Sequence, residues 1–243
     1  MIDGQHIDDH VRQKYTGGTC GGQNGILSPF HQLRIETAKD LMREHLWKRK
    51  TGAQVLDIGC NDGTVSAQFL QLGAQVHGID LGEENVRRAR GRGIEAQVSN
   101  ARERLPYADG TFDVVFVGEL LEHLYDTEAF LKEAHRVLRR GGAVVLTTPN
   151  LASLANRLRL LCGHYPKMMS PFLSEGSGDH IHLFTVDTLE HLLEKTGFSF
   201  VEITSSSICL NLGVGHSAPY LSLLASVVPS LGDILVAKAE KVW

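Results

Sequence analysis

Val55-Leu56-Asp57-Ile58-Gly59-Cys60-Asn61-Asp62-Gly63-Thr64-Val65-Ser66 is the stretch that decides how this chain folds. It reads as a strand, a glycine turn and the start of a helix. Val55, Leu56 and Ile58 are aliphatic, as a strand buried on both faces requires. Gly59 and Gly63 carry no Cβ, so the backbone can turn sharply there and approach a ligand closely. Such a turn leaves amide N–H groups at a helix N-terminus without internal partners, which favours a polar or anionic ligand group. Asp57, at the strand end, is a carboxylate able to accept from a cationic amine. Together these features suit an amino acid attached to a nucleoside. The glycines lack the G-x-G-x-x-G spacing of a dinucleotide site, which speaks against a nicotinamide-dependent oxidoreductase.

Working outward, Ala74-Gln75-Val76-His77-Gly78-Ile79-Asp80 reads as a second strand ending in an acid. An acid there, about 20 residues past a glycine turn, is placed to accept from a ribose diol. It is also placed to cap the helix that starts near Glu83. Ile94 to Ala101 reads as a third strand, ending in Asn100-Ala101. Asn100 offers both a donor and an acceptor to an adenine ring, or serves as a turn asparagine. Val114-Val115-Phe116-Val117 is a fourth, continuously apolar strand, as central parallel strands are. A helix from Phe130 to Arg139 follows. Then come the turn Arg139-Arg140-Gly141-Gly142 and a fifth strand, Ala143 to Asn150.

This succession resembles the class I S-adenosylmethionine (SAM)-dependent methyltransferases over roughly residues 30–203, in particular the ubiquinone-biosynthesis-like O-methyltransferase branch. Asp57-Ile58-Gly59-Cys60-Asn61-Asp62-Gly63 stands where that family has Asp/Glu-x-Gly-x-Gly-x-Gly, with Asn61 replacing the middle glycine. Asn tolerates the left-handed region better than other non-glycine residues, so the turn survives. Leu105 to Asp113 resembles the family's approach to strand four, and Arg140 replaces a usual proline before strand five. The resemblance implies a Rossmann-like three-layer α/β/α sandwich with a seven-stranded, mostly parallel sheet whose last strand is antiparallel. Phe198 to Thr204 and Asp233 to Lys241 supply the last two strands. It implies SAM as cofactor and S-adenosylhomocysteine as product. The cofactor residues are Asp57, Gly59, Cys60, Asn61, Gly63, Asp80, Leu81, Asn100, Ala101 and Glu119. Arg34, in a helix from Phe30 to Lys50, resembles an arginine that related enzymes place on the SAM carboxylate; a solvated helix arginine is the other reading. The reaction implied is methyl transfer to a small-molecule hydroxyl. Nitrogen or carbon acceptors, and a SAM-binding protein without catalysis, remain open.

Gly118-Glu119-Leu120-Leu121-Glu122-His123 follows strand four. If it is helical, Glu119, Glu122 and His123 lie at i, i+3 and i+4 and share one face. Two carboxylates and an imidazole suit a divalent cation such as magnesium. Two methyltransferase groups with a similar Glu-x-x-Glu-His are linked to a divalent metal. Acids in a first helical turn also interact favourably with the helix dipole alone. Gly178-Asp179-His180-Ile181-His182 offers a further ligand in His180, and alternation along an extended run puts His180 and His182 on one face. His123, His180 and His182 are therefore the candidates for catalysis, each able to act as a base on an acceptor hydroxyl. The metal set is Glu119, Glu122, His123 and His180.

The chain has 243 residues, a net charge of −4 and a pI of about 6.3. That suits one domain at residues 31–243 and offers no basic footprint for nucleic acid. Four scattered cysteines form no C-x-x-C pair, as in a reduced, cytoplasmic protein. The N-terminus lacks a basic region followed by an apolar stretch, so no signal peptide is expected. No apolar run reads as a membrane span. Residues 1–30, with a glycine-rich stretch from Tyr15 to Gly25, read as an N-terminal lid or flexible segment. An insertion at about 151–182 reads as a substrate cap, whose Met168 and Met169 suit an apolar acceptor and whose Arg157 and Arg159 suit an acidic group. Self-association is left open.

Overall fold

The computed structural model describes residues 28–49, 52–167, 180–208 and 222–242. Residues 1–27 of the proposed lid (1–30) and the cap segment 168–179, with Met168, Met169 and Asp179, lie outside them, and residues 29 and 30 of that lid begin a helix.

Helix α1 spans Pro29–Lys48. Proline at its first position costs nothing, because that amide has no helical partner, and Ser28 Oγ accepts from the His31 amide. The chain continues through β1 (Gln54–Ile58), α2 (Ser66–Leu70), β2 (Gln75–Asp80), α3 (Glu83–Gly91), β3 (Glu95–Val98) and β4 (Phe112–Gly118). It closes with α4 (Thr127–Val137), β5 (Leu138–Pro149), α5 (Leu154–Leu161), α6 (Val186–Lys195), β6 (Ser199–Ser205), α7 (Ser222–Val227) and β7 (Ile234–Glu240). The strands form one sheet in the order β3-β2-β1-β4-β5-β7-β6. Strands β1 to β5 pair in parallel, and β7 runs antiparallel between β5 and β6. The seven-stranded expectation holds, including the antiparallel last strand.

Pleating sends successive side chains to opposite faces, and each face has its own core. Leu56, Ile58, Val115, Val117 and Leu146 pack under α4 and α6. Val55, Val114, Phe116 and Val145 pack under α1 and Phe69 of α2. Asp57 alternates onto the α1 face with Val55. Strand order reverses between β1 and β4, which opens a crevice at their carboxyl ends, where ligands bind in open α/β sheets.

The β1 turn is as tight as its sequence implies. Asn61 has φ +48°, inside the left-handed region. Gly63 has φ +77°, and a Cβ there would lie 2.9 Å from the Ala89 Cα of α3. Gly63→Ala should therefore cost at least about 2 kcal/mol, from the left-handed penalty and overpacking together. Urea unfolding checks this, and an unchanged midpoint would contradict the packing described.

Candidate active site

The turn was expected to offer free amides, and those from Gly59 to Thr64 are already engaged. Gly59 and Cys60 N–H both donate to Ile79 O, at 2.8 and 3.0 Å. Asn61 N–H donates to Asp80 Oδ2, Asp62 N–H to Asn61 Oδ1, Gly63 N–H to Cys60 O and Thr64 N–H to Asp62 Oδ1. Short polar side chains at Asn61 and Asp62 satisfy locally what an all-glycine turn leaves to a ligand. The turn's contribution is thus close backbone approach rather than amide donation. Cys60 is buried, and burial pushes its thiol far above the ordinary range, so it lines the turn as a small apolar group.

Asp80 accepts from Asn61 N–H through Oδ2 and from Gly82 N–H and Asn85 Nδ2 through Oδ1. It is half-buried beside the half-buried Leu81. Gly82, not Asp80, is the N-cap of α3. Each carboxylate oxygen has about two acceptor sites, so Oδ2 keeps capacity for a further donor. Asn100 spends its side chain locally: Oδ1 accepts from Arg102 N–H and Nδ2 donates to Glu103. That is turn-asparagine geometry. Neighbouring Ala101 packs on the α4-side core.

Asp57 is 3 % exposed and accepts from Ser66 Oγ. Burial pushes its carboxyl up to about 7, against the Ser66 hydrogen bond, with Asp80 adding to the rise and Arg34 opposing it.

Past β4 the expected helix is absent. Glu119 has φ +51°, and Leu121–His123 is a single 3₁₀ turn. Glu119, Glu122 and His123 therefore do not share one α-helical face. Glu119 instead turns towards α1: its Oε1 accepts from Thr147 Oγ1 at 3.1 Å and lies 3.6 Å from Arg34 Nη1. A left-handed glutamate costs about 1 kcal/mol or more, a kind of strain that clusters at functional sites. Arg34 is 6 % exposed and donates to Thr147 Oγ1 at 2.7 Å, so it is not a solvated helix arginine. Its Nε is buried without a partner.

On the other face of the sheet, Glu122, His123 and His180 come together, their ligand atoms all within 4.8 Å. The His123 and His180 rings meet edge to face at 4.8 Å. Glu122 is 1 % exposed. Its Oε2 accepts from Thr148 Oγ1, and its Oε1 is buried with no partner, as is Nδ1 of His180. Burial first, and Glu119 second, raise its carboxyl well above the usual range. The Glu122 carbonyl accepts from the amides of Ile181 and His182, which pins the histidine run against the 3₁₀ turn. His182 does not join His180: its Nε2 bonds the Tyr125 carbonyl at 3.1 Å.

Sequence reasoning missed Thr147 and Thr148. Both are 0 % exposed at the end of β5, and their pairing with one acid on each face is written only in the fold. Arg157 and Arg159, expected to meet an acidic substrate group, clamp the backbone. Arg157 donates to the Ala152 and Ser230 carbonyls and Arg159 to that of Tyr165.

A mostly parallel open sheet with an acid at the carboxyl end of each of its first two strands, and a glycine turn after the first, is the fold of SAM-dependent methyltransferases. The sequence profile of the methyltransferase domain matches residues 30–203, so the chain belongs to that family. Human mitochondrial ubiquinone biosynthesis O-methyltransferase is 28% identical over 194 residues, covering 73% of this chain and 52% of that protein. The ubiquinone biosynthesis O-methyltransferase of Xanthomonas oryzae pv. oryzae is 36% identical over 126 residues, or 49% of this chain and 53% of the relative. The chain thus spans about half the length of these relatives. A SAM-dependent methyltransferase from Archaeoglobus fulgidus superposes with a TM-score of 0.60 at 21% identity, covering 85% and 94% of the two chains. A possible histamine N-methyltransferase from Thermotoga maritima superposes at 0.57 and 19% identity, covering 86% and 91%. At these identities the likeness is one of fold. Among the described residues no helix is long and apolar enough to cross a membrane.

Asp57 gives a prediction with a definite sign. Its folded pKa is raised to about 7 from an ordinary 3.8, so between those values the folded state holds more protons than the unfolded. Stability contributed by this group falls as pH rises through that window. Asp57→Asn should remove that fall, of the order of a few kcal/mol across the window. Chemical denaturation of both proteins at pH 5 and pH 7.5 measures it; equal pH dependence would contradict the burial cause.

Proposed function

We propose that this chain transfers the methyl group of SAM to a hydroxyl oxygen of a small-molecule acceptor, assisted by a divalent cation. The observation that carries the reading is the cluster of Glu122, His123 and His180, with Glu122 Oε1 and His180 Nδ1 buried and unpartnered. Unsatisfied buried polar atoms are costly, and a cation satisfies both. Carboxylate and imidazole donors fit magnesium, manganese, iron or zinc. The curated relatives carry an O-methyltransferase name, which favours oxygen over nitrogen or carbon.

SAM supplies a methyl group on a sulfonium, open to in-line displacement by a nucleophile. A divalent cation at the cluster supplies positive charge that lowers the pKa of an acceptor hydroxyl. The chain's own residues do the rest. Asp80 Oδ2 holds a ribose hydroxyl, and Gly59 lets the backbone come near the cofactor. Arg34 meets the methionyl carboxylate. Asp57, buried on the α1 side, is ready to ionise against a nearby amine. Thr148 orients Glu122 by donating to one of its oxygens, leaving Oε1 for the cation. His123 and His180 supply the imidazole nitrogens, and either takes a proton from the acceptor hydroxyl when not engaged as a ligand. Holding acceptor and methyl donor in line is the main catalytic contribution. The free thiols of Cys60 and Cys162 accord with a reducing, cytoplasmic setting.

Radiolabelled SAM and a panel of hydroxylated aromatic acceptors provide the test, with EDTA treatment and restoration by magnesium, manganese or zinc. Glu122→Ala and His180→Ala should each lower turnover by about 10- to 100-fold while leaving S-adenosylhomocysteine affinity within about twofold. EDTA should mimic the variants. Full activity in both variants and in EDTA would remove the cation from the account. Cofactor binding without turnover on any acceptor would point to a SAM-binding protein instead.

A further inference from the structure

Helix α1 packs over β4, β5 and β7. At Arg34 it meets Thr147 and Glu119, beyond the carboxyl end of β4. At His45 it meets Glu240, which pairs with Ala143 near the amino-terminal side of β5. The helix therefore enters over the ligand edge and runs away from it. His31, one turn before Arg34, lies on the same helix face and about 4.5 Å further out over that edge.

Two polar atoms there are buried and unpartnered: Nδ1 of His31 and Nε of Arg34. Arg34 Nη1 already serves Thr147 and Glu119, which leaves Nε as the guanidinium's unpartnered donor. The His31 ring is steadied edge to face by Phe30 at 5.5 Å. Burial, and then Arg34, hold His31 below the ordinary histidine range, with Glu119 opposing them. A neutral ring donates from one nitrogen only. The charge pattern is that of a zwitterion's complement, with Glu119 beside the Arg34 guanidinium.

We propose that His31 completes the receptor for the methionyl carboxylate of the cofactor, its Nδ1–H and the Nε–H of Arg34 donating to that group together. The inference rests on the cofactor reading above and adds a residue to it. A carboxylate shared by a guanidinium and an imidazole N–H makes two charge-assisted hydrogen bonds. Glu119 is left to face the neighbouring ammonium.

Calorimetric titration with two ligands tests this: S-adenosylhomocysteine, which has the methionyl carboxylate, and 5′-methylthioadenosine, which lacks it. His31→Leu should weaken S-adenosylhomocysteine about tenfold, the loss of one hydrogen bond to a charged group. It should leave methylthioadenosine within about twofold. His31→Asn, whose amide places an N–H near Nδ1, should recover most of the loss. In the wild type labelled with ¹⁵N-histidine, the His31 Nδ1 resonance should shift with S-adenosylhomocysteine and not with methylthioadenosine. That readout stands even if His31→Leu fails to fold. Equal weakening of both ligands, no weakening of either, or a resonance that ignores the carboxylate would overturn the assignment. A wild type that binds neither ligand would fail the cofactor reading itself.

Discussion

The alternation of two adjacent threonines at the end of β5 organises this site. Successive residues of a strand point to opposite faces, so Thr147 and Thr148 serve opposite sides of the sheet. Thr147 Oγ1 lies between Arg34 and Glu119 on the α1 side. Thr148 Oγ1 holds Glu122 on the α4 side. β5 can impose this because Thr147 is paired on both sides, with Gly118 of β4 and Val236 of β7, and Thr148 with Leu235 of β7. One pleat thus separates the groups suited to the cofactor's amino-acid end from those suited to a cation and acceptor. The same pleat brings the two groups to one edge of the sheet, as methyl transfer requires.

The electrostatics follow from burial. Asp57 and Glu122 are acids with almost no exposure, and both are held above the usual carboxylate range. Ionised carboxylates in such places are costly unless matched. Each is matched in part by one hydroxyl, Ser66 for Asp57 and Thr148 for Glu122. The Arg34 guanidinium opposes the rise at both acids without cancelling it. The left-handed Glu119 sets its carboxylate against Arg34.

Much of this was legible in the sequence, and the reasons are physical. The aliphatic Val55, Leu56 and Ile58 announced β1 and a continuous apolar run announced β4, because strands covered on both faces admit little else. Asn61 could be read as left-handed because the glycine turn demanded it. The antiparallel β7 followed from resemblance alone. What was not legible came from long-range contacts. Glu119, Glu122 and His123 have helical spacing, yet Gly118 and a left-handed Glu119 break the run at the strand end. A Cβ at Gly118 would strike the Phe116 ring at 2.7 Å, so the backbone passes close there and leaves the sheet sharply. The spacing grouped Glu119 with Glu122 and His123, whereas the structure brings Glu122 and His123 together with His180 and turns Glu119 to Arg34. The Asn61 side chain looked like a departure from a glycine motif, and the role of Asn61 and Asp62 as partners for the turn's own amides needed coordinates. Arg157 and Arg159 looked free for a substrate, but the carbonyls they clamp, at Ser230 and Tyr165, have no sequence signature.

The claim that one pleat divides cofactor from cation is tested most directly by titrating S-adenosylhomocysteine and manganese into Thr147→Val and Thr148→Val. Valine keeps the shape and removes the hydroxyl. The account predicts a split: Thr147→Val weakens S-adenosylhomocysteine and spares manganese, and Thr148→Val does the reverse. Equal effects of both substitutions on both ligands, or none on either, would contradict it.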